Sequence, residues 1–312
     1  MQSLRRFSRW VAWAATGLVL AAALRAAEPA FGGPVEAGKI EGPAKRETSG
    51  LAPSLRNPGL LWLHDDSGNP PFLHAIDPDG NPVGTLQVGG VKNTDWEDLA
   101  SVVLDGKPWL VVGDVGDNDA VRRSVLIHFV AEPDRAALAA AGRLAEQPAA
   151  TLTVSYEDGA RDVEALAVDP RERAIYLLSK RDEVPRLYRI ALPAGPLVSA
   201  TVNARLVGTV PHLPKASAGQ LLLNARLGRM RAWPCAMDFA PDGSAAVVLT
   251  YGNVLVFPRA AGESWAKALG RTPEKLAPHA LPQAEAVCFS ADGKSIFVAS
   301  EETKRLLRYD RK

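Results

Sequence analysis

A six-residue pattern recurs five times along this chain, and each copy is followed by a turn and then an apolar run. The copies begin at Ser49, Glu97, Glu164, Cys235 and Glu285, and the apolar runs that answer them lie at residues 60–63, 109–112, 174–178, 245–249 and 296–299. A repeated unit of strand, turn and strand cannot bury both of its own faces. Its copies must stack on one another, and a radial array of sheets is the architecture that closes such a stack. Successive copies start 48, 67, 71 and 50 residues apart, so two units carry insertions. Residues 134–147 read as a helical insertion with Asp134 as its N-cap. Residues 212–231 read either as a long loop or as a sixth, degenerate blade.

Later strands of each unit fall at residues 72–76, 125–130, 186–192 and 254–257, which are β-branched or alternate in polarity. Asp242-Gly243 and Asp292-Gly293 suit tight hairpins between first and second strands. The last unit ends one strand short, at Tyr309. A strand near residues 39–41 would complete it, close the ring and remove an exposed sheet edge. The expected fold is therefore all-β, a β-propeller of five or six four-stranded blades over residues 47–312, closed by an N-terminal strand.

The N-terminal residues carry Arg5, Arg6 and Arg9 before an apolar stretch, and residues 1–27 read as a secretory signal peptide. Residues 28–46, rich in Gly, Pro and charge, read as a flexible tether. Removal of residues 1–27 takes away four arginines and no acid, so the formal charge of +1 becomes −3. A surface so close to neutral gives no reason to expect nucleic acid as a partner, and no later segment is long and apolar enough for a stable membrane span. A periplasmic or secreted monomer is expected. Cys235 and Cys288 occupy different heights of their strands and are expected as two buried thiols rather than a disulfide.

In a four-stranded antiparallel unit, the start of the first strand shares a face with the loop between the second and third. That face collects Asp65, Asp114, Asp117, Lys180, Arg181, Tyr251 and Glu301 from the loops beside Glu97, Glu164 and Glu285 from the repeats. Carboxylates crowded at one mouth repel each other unless a cation sits among them. Calcium is one answer, with Asp65, Glu97, Asp114, Asp117, Glu164, Glu285 and Glu301 as candidate ligands. The other answers are that the glutamates cap their own strands or pair with Lys180 or Arg181, or that they work as acids and bases. The loop at residues 113–119 has the Gly, Asp and Asn content of a calcium loop but not EF-hand spacing, and a metal-free Asx turn fits it equally. His64 is a further candidate on this face. No nucleophile elbow, metalloprotease helix or phosphate-binding glycine loop is present.

The runs Ser49-Gly50-Leu51, Leu61-Trp62-Leu63-His64-Asp65-Asp66-Ser67-Gly68, Asp95-Trp96-Glu97-Asp98-Leu99-Ala100, Gly113-Asp114-Val115-Gly116-Asp117-Asn118 and Asp162-Val163-Glu164-Ala165-Leu166 resemble a family of secreted bacterial β-propeller proteins. That family is distantly similar to β-propeller phytases and phytase-like esterases. The resemblance implies a calcium-dependent propeller with its site on the acidic face, and implies Lys180, Arg181 and Tyr251 as groups that would hold a phosphate or carboxylate. Cys235 stands where relatives tend to carry Thr, and Asp65 where Asn is usual. Two functions follow as expectations. One is calcium-dependent hydrolysis of small phosphate or carboxylic esters; the alternative is a non-catalytic propeller that binds a protein, peptide or envelope glycan on the same face.

Overall fold

All five copies of the repeat form innermost strands in the computed structural model, which describes residues 30–42 and 47–312. The signal segment expected over residues 1–27 lies outside the described residues. In chain order the elements are β1 (Val35–Lys39), β2 (Thr48–Pro53), β3 (Leu61–Asp65), β4 (Phe72–Ile76), β5 (Pro82–Val88), β6 (Trp96–Leu104), β7 (Lys107–Asp114), β8 (Val125–Ala131), α1 (Arg135–Ala141), β9 (Arg143–Glu146) and β10 (Ala150–Tyr156). There follow β11 (Val163–Asp169), β12 (Ala174–Ser179), β13 (Arg186–Ala191), β14 (Ala200–Thr209), α2 (Ala218–Leu223), α3 (Ala225–Met230), β15 (Pro234–Phe239), β16 (Ala245–Thr250), β17 (Asn253–Pro258), α4 (Trp265–Leu269), β18 (Glu274–Lys275), β19 (Ala284–Phe289), β20 (Ser295–Ser300) and β21 (Arg305–Asp310).

The fold is all-β and propeller-like. Hydrogen bonding joins the strands into sheets ordered β2-β3-β4-β5-β9, β11-β12-β13-β14-β10-β8-β7-β6, β15-β16-β17-β18 and β1-β21-β20-β19. The sheets are not all separate and four-stranded as expected, because two outer strands find extra partners. β10 pairs parallel to β14, and β9 pairs parallel to β5. Both contacts cover strand edges that would otherwise be open to other chains. Innermost strands meet in the cyclic order β2, β6, β11, β15, β19 and back to β2.

Buried side chains follow the same cycle. One cluster joins Trp62 and Leu73 to Leu110 and Val112, the next Ile127 and Phe129 to Leu166 and Tyr188, and the third Tyr176 and Leu178 to Met237 and Trp265. The fourth joins Val247 and Val256 to Phe289 and Val298, and the last Cys288 and Phe297 to Leu51 and Leu61. Inner strands are buried on both faces because their sheets have a neighbour on both sides, whereas outer strands such as β14 are largely exposed. Burial patterns such as seven consecutive buried residues in β11 replace the alternation of a one-sided sheet.

β1 pairs antiparallel to β21, so closure by an N-terminal strand is seen, four residues earlier than residues 39–41 suggested. Residues 30–42 thus belong to the folded body rather than to a tether. Phe31 is buried in the cluster beneath Phe289, and β1 passes so close to the turn at Asp79 that a Cβ on Gly38 would lie 1.8 Å from the Asp79 carbonyl oxygen. The helical insertion is shorter than residues 134–147. Asp134 caps α1 by accepting from Ala136 N at 2.9 Å, but Gly142 turns the chain at φ 67° and the residues beyond it become β9. Residues 212–231 hold α2 and α3, and no strand lies among them.

An innermost strand has one edge paired and one edge facing the central channel, where its N–H groups need another acceptor. Asp98 supplies three. Its buried carboxylate accepts from Leu99 N at 2.9 Å, Leu166 N at 2.7 Å and Met237 N at 3.1 Å, so one side chain ties β6 to β11 and β15. Asp238 accepts from Phe239 N and Phe289 N, both at 2.8 Å, and ties β15 to β19. Ser49 completes the series by donating to the Glu97 carbonyl at 2.8 Å, from β2 to β6. Burial pushes both channel carboxyls upward, Asp238 to about 7. Asp98→Ala would leave three buried N–H groups without an acceptor, at about 1–3 kcal/mol each. We expect it to lower the urea midpoint far more than Asp105→Ala, which removes an exposed partner of Arg173 worth less than about 1 kcal/mol. Equal losses in the two variants would overturn the role given to Asp98.

Candidate functional site

The first position of every repeat is a β-bulge. Register against the second strand shifts between Thr48 and Gly50, Trp96 and Asp98, Val163 and Ala165, Pro234 and Ala236, and Ala284 and Ala286. The residue skipped each time is Ser49, Glu97, Glu164, Cys235 or Glu285. A bulge bends its strand and re-aims one side chain, and five in equivalent places put five side chains at one mouth of the channel. All five are buried, the glutamates included, at 3–6% exposure.

The mouth divides into two parts. In the first, Lys180 extends from the β12–β13 loop, is itself buried, and forms an ion pair with Glu164. Its Nζ also donates to the Tyr251 hydroxyl at 3.1 Å, and that hydroxyl donates to Glu285. Glu285 in turn shares a hydrogen bond with Glu301, which accepts from Gln283 Nε2 at 2.5 Å. Glu164, Cys235 and Glu285 place a ligand atom each within 4.8 Å of one another. Burial works against charge on Lys180, but the attraction of Glu164 outweighs it and holds the ammonium above its ordinary range. Burial raises Glu164 to about 7 against the pull of Lys180, and burial with the Glu285 contact raises Glu301 to about 9. At neutral pH Glu285 and Glu301 therefore share a proton across their hydrogen bond. Burial also holds the Cys235 thiol and the Tyr251 hydroxyl in their neutral forms.

In the second part, Glu97 meets Asp66 from the β3–β4 loop and Asp95 from just before β6, again with ligand atoms within 4.8 Å of one another. All three carboxyls are raised, first by burial and then by neighbouring acids. Among the described residues, none of the three has an ion-pair partner. Gly116 closes over them: a Cβ there would lie 2.3 Å from Glu97 Oε1 and 2.5 Å from the Asp95 carboxyl.

The seven expected metal ligands are thus not gathered into one cluster. Glu97 lies in the second part, and Glu164, Glu285 and Glu301 lie in the first. Asp114 is fully buried and bound to Arg122 at 2.8 Å, and Asp117 accepts from Val121 N at 2.9 Å and Arg122 N at 2.8 Å. The Asp117 carboxylate is thus used by backbone four and five residues on, beyond the 113–119 loop, and not in the two-residue reach of an Asx turn. Asp65 ends β3 beside His74, 3.9 Å away, so the loop residue that reaches Glu97 is Asp66, one position on. Lys180 meets Glu164 and Tyr251 meets Glu285, whereas Arg181 pairs with Asp162 and stacks 5.2 Å over Trp233. His64 is a core residue. It is fully buried edge-on to Trp96, and burial lowers it to about 4, so it is a neutral ring. Asp95 was legible in principle, because it stands two residues before Glu97 and so on the same side of an extended chain.

No known protein-family model matches this chain, and no curated protein sequence does. Distant likeness to solved structures exists. A gluconolactonase from Xanthomonas campestris has TM-score 0.44 and 15% identity, covering 85% of this chain and 72% of the other. A PQQ-bound aldose sugar dehydrogenase from Streptomyces coelicolor has TM-score 0.46 and 12% identity, covering 91% and 99%. The WD40 domain of Pan2 from Neurospora crassa has TM-score 0.35 and 9% identity, covering 87% and 65%. None of the three is a phytase.

Lys180→Met would leave Glu164 buried with no cation and drive its carboxyl above about 7. A buried acid raised in the folded state loses stability as pH climbs from its unfolded value near 4.5 through the folded one, because unfolding then releases the proton. The destabilisation should be small at pH 4.5 and reach about 3–5 kcal/mol at pH 8, the cost of breaking a buried pair. Urea unfolding at both pH values checks this, and Lys180→Met with Glu164→Gln should recover most of the loss.

Proposed function

We propose that the chain is a five-bladed propeller, a monomer of the periplasm or extracellular space, whose acidic mouth binds calcium and hydrolyses small phosphate or carboxylic esters. The blade count is supported by the cycle of five innermost strands and five buried clusters. The observation that carries the site is the Asp66, Asp95 and Glu97 group. Three carboxyls share a space with no ion-pair partner among the described residues, and every one is held above its ordinary range. A donor set of carboxylate oxygens alone suits a hard cation such as calcium. The Glu164, Cys235 and Glu285 group suits one less, since Lys180 already neutralises Glu164.

Calcium bound by Asp66, Asp95 and Glu97 would supply charge neutralisation and polarise an ester oxygen. The chain's own groups would do the rest. Lys180, held charged by Glu164, and the Tyr251 hydroxyl orient an anionic substrate group beside the mouth. A leaving oxygen would take the Tyr251 hydroxyl proton, and the proton shared by Glu285 and Glu301 would then pass from Glu285 back to Tyr251. The phytase-like resemblance of the sequence motifs agrees with this class of reaction.

One observation favours the non-catalytic alternative, a propeller that binds a protein, peptide or envelope glycan. Lys180 and Arg181, the two cations expected to meet developing negative charge, are each paired with an acid. Thermal unfolding of the mature chain with EDTA, and then with calcium restored, separates the readings. Calcium at 100 times its Kd should add about 2.7 kcal/mol. Glu97→Gln should raise the metal-free Tm, by removing repulsion, and abolish the calcium response. Calcium-dependent release of nitrophenol from phosphate or acyl esters would then support the hydrolase. A calcium response without turnover on either ester class would leave the binding alternative, and no response would remove calcium from both.

A further inference from the structure

Beside the mouth lies a cavity of about 430 Å³ between the β12–β13 loop and the segment that carries α2 and α3. Its walls are apolar, formed by Val184, Val210, Leu213, Leu221 and the indole of Trp233. The volume is that of a small-molecule site, which combines an apolar lining with a few charged groups that fix orientation.

The charges here have one sign for a reason visible in the sequence. Residues 184–237 contain no Asp or Glu and seven Lys or Arg, in a chain that carries 35 acids and 36 bases in all. Two of those cations, Lys215 and Arg229, line the cavity, and among the described residues neither has an ion-pair partner. The other charged groups at the cavity are spoken for. Lys180 is bound to Glu164 and Arg181 to Asp162, while Asp182 lies 3.5 Å from Arg186 and 3.9 Å from Arg161. Among the described residues only exposed Glu183 opposes Lys215 and Arg229, so the cavity keeps a positive excess over an apolar interior.

We propose that this cavity binds an amphiphilic carboxylate, with an acyl or aryl body against Trp233, Val184, Val210 and Leu213 and the carboxylate toward Lys215 and Arg229. A neutral apolar ligand would leave the two cations unanswered, and an apolar cation would be repelled by them. Because the cavity opens at Lys180, this names a substrate class for the mouth, an ester of such an acid, and that extension rests on the hydrolase reading above. The binding itself does not.

The test is calorimetric titration of the mature chain, without added calcium, with octanoate, octanol, octylammonium and octyl phosphate. Octanoate should bind at least about tenfold more tightly than octanol or octylammonium, a difference of about 1.4 kcal/mol. Lys215→Gln with Arg229→Gln, two exposed positions whose replacement leaves the fold intact, should weaken octanoate at least about tenfold and leave octanol unchanged. Trp233→Ala should weaken both. Octanol binding as tightly as octanoate, octanoate binding indifferent to the double substitution, tighter binding of octyl phosphate, or no octanoate heat at millimolar concentration would each overturn the proposal. The readout involves neither metal nor turnover, so its failure leaves the calcium reading standing, and a failed calcium response leaves this one.

Discussion

The carboxylate of Asp98 sets the terms for the rest of the structure. Inner strands that meet edge-on around an axis cannot continue their ladders across it, so each presents unpaired N–H groups to the central channel. Asp98 and Asp238 answer five of these from within, reaching from β6 to β11 and β15, and from β15 to β19. The arrangement places two carboxyls where burial disfavours their charge, and the hydrogen bonds offset that cost. With the axis pinned, the faces of the sheets can pack on one another, and β1 closes the ring by pairing with β21.

The bulges follow from the same geometry. Directly above the layer pinned by Asp98, each inner strand gains one extra residue and turns its side chain into the mouth. Three of those side chains are glutamates and two are neutral, Ser49 and Cys235. Had all five been glutamates, Lys180 could not have balanced them. As it is, Lys180 takes up Glu164 and reaches Glu285 through Tyr251, and the proton shared by Glu285 and Glu301 relieves that side further. Glu97 is left facing Asp66 and Asp95 with no ion-pair contact among the described residues, and burial and the neighbouring acids outweigh the pull of the more distant Lys180.

Much of this was legible in the sequence because repetition constrains both ends of an argument at once. Inner strands, second strands, the closing N-terminal strand and the face shared by glutamates and loops all follow from a period and from antiparallel alternation. What was not legible depends on single residues. The length of the helical insertion turned on Gly142, and the tether became strand because Gly38 lets β1 approach Asp79. Asp65 and Asp66 are indistinguishable as letters, and only the end of β3 decides which one enters the mouth. The choice between a metal and Lys180 as counter-ion could not be read from composition. It depends on the reach of a four-carbon side chain from a neighbouring loop.

The distribution of charge around the mouth then bears on what can occupy it. Acidic groups are concentrated on the axis, and the segment without acids forms a wall to one side, so a field runs across the opening rather than along the channel. A molecule with a single uniform character meets one half of that surface unfavourably. A molecule that carries an apolar, anionic end and a polar oxygen-rich end can satisfy both, with Lys180 and Tyr251 standing between them. On the ligand proposed above, the insertion at residues 212–231, which adds no strand to the ring, supplies Lys215 and Arg229 as the positive side of that field.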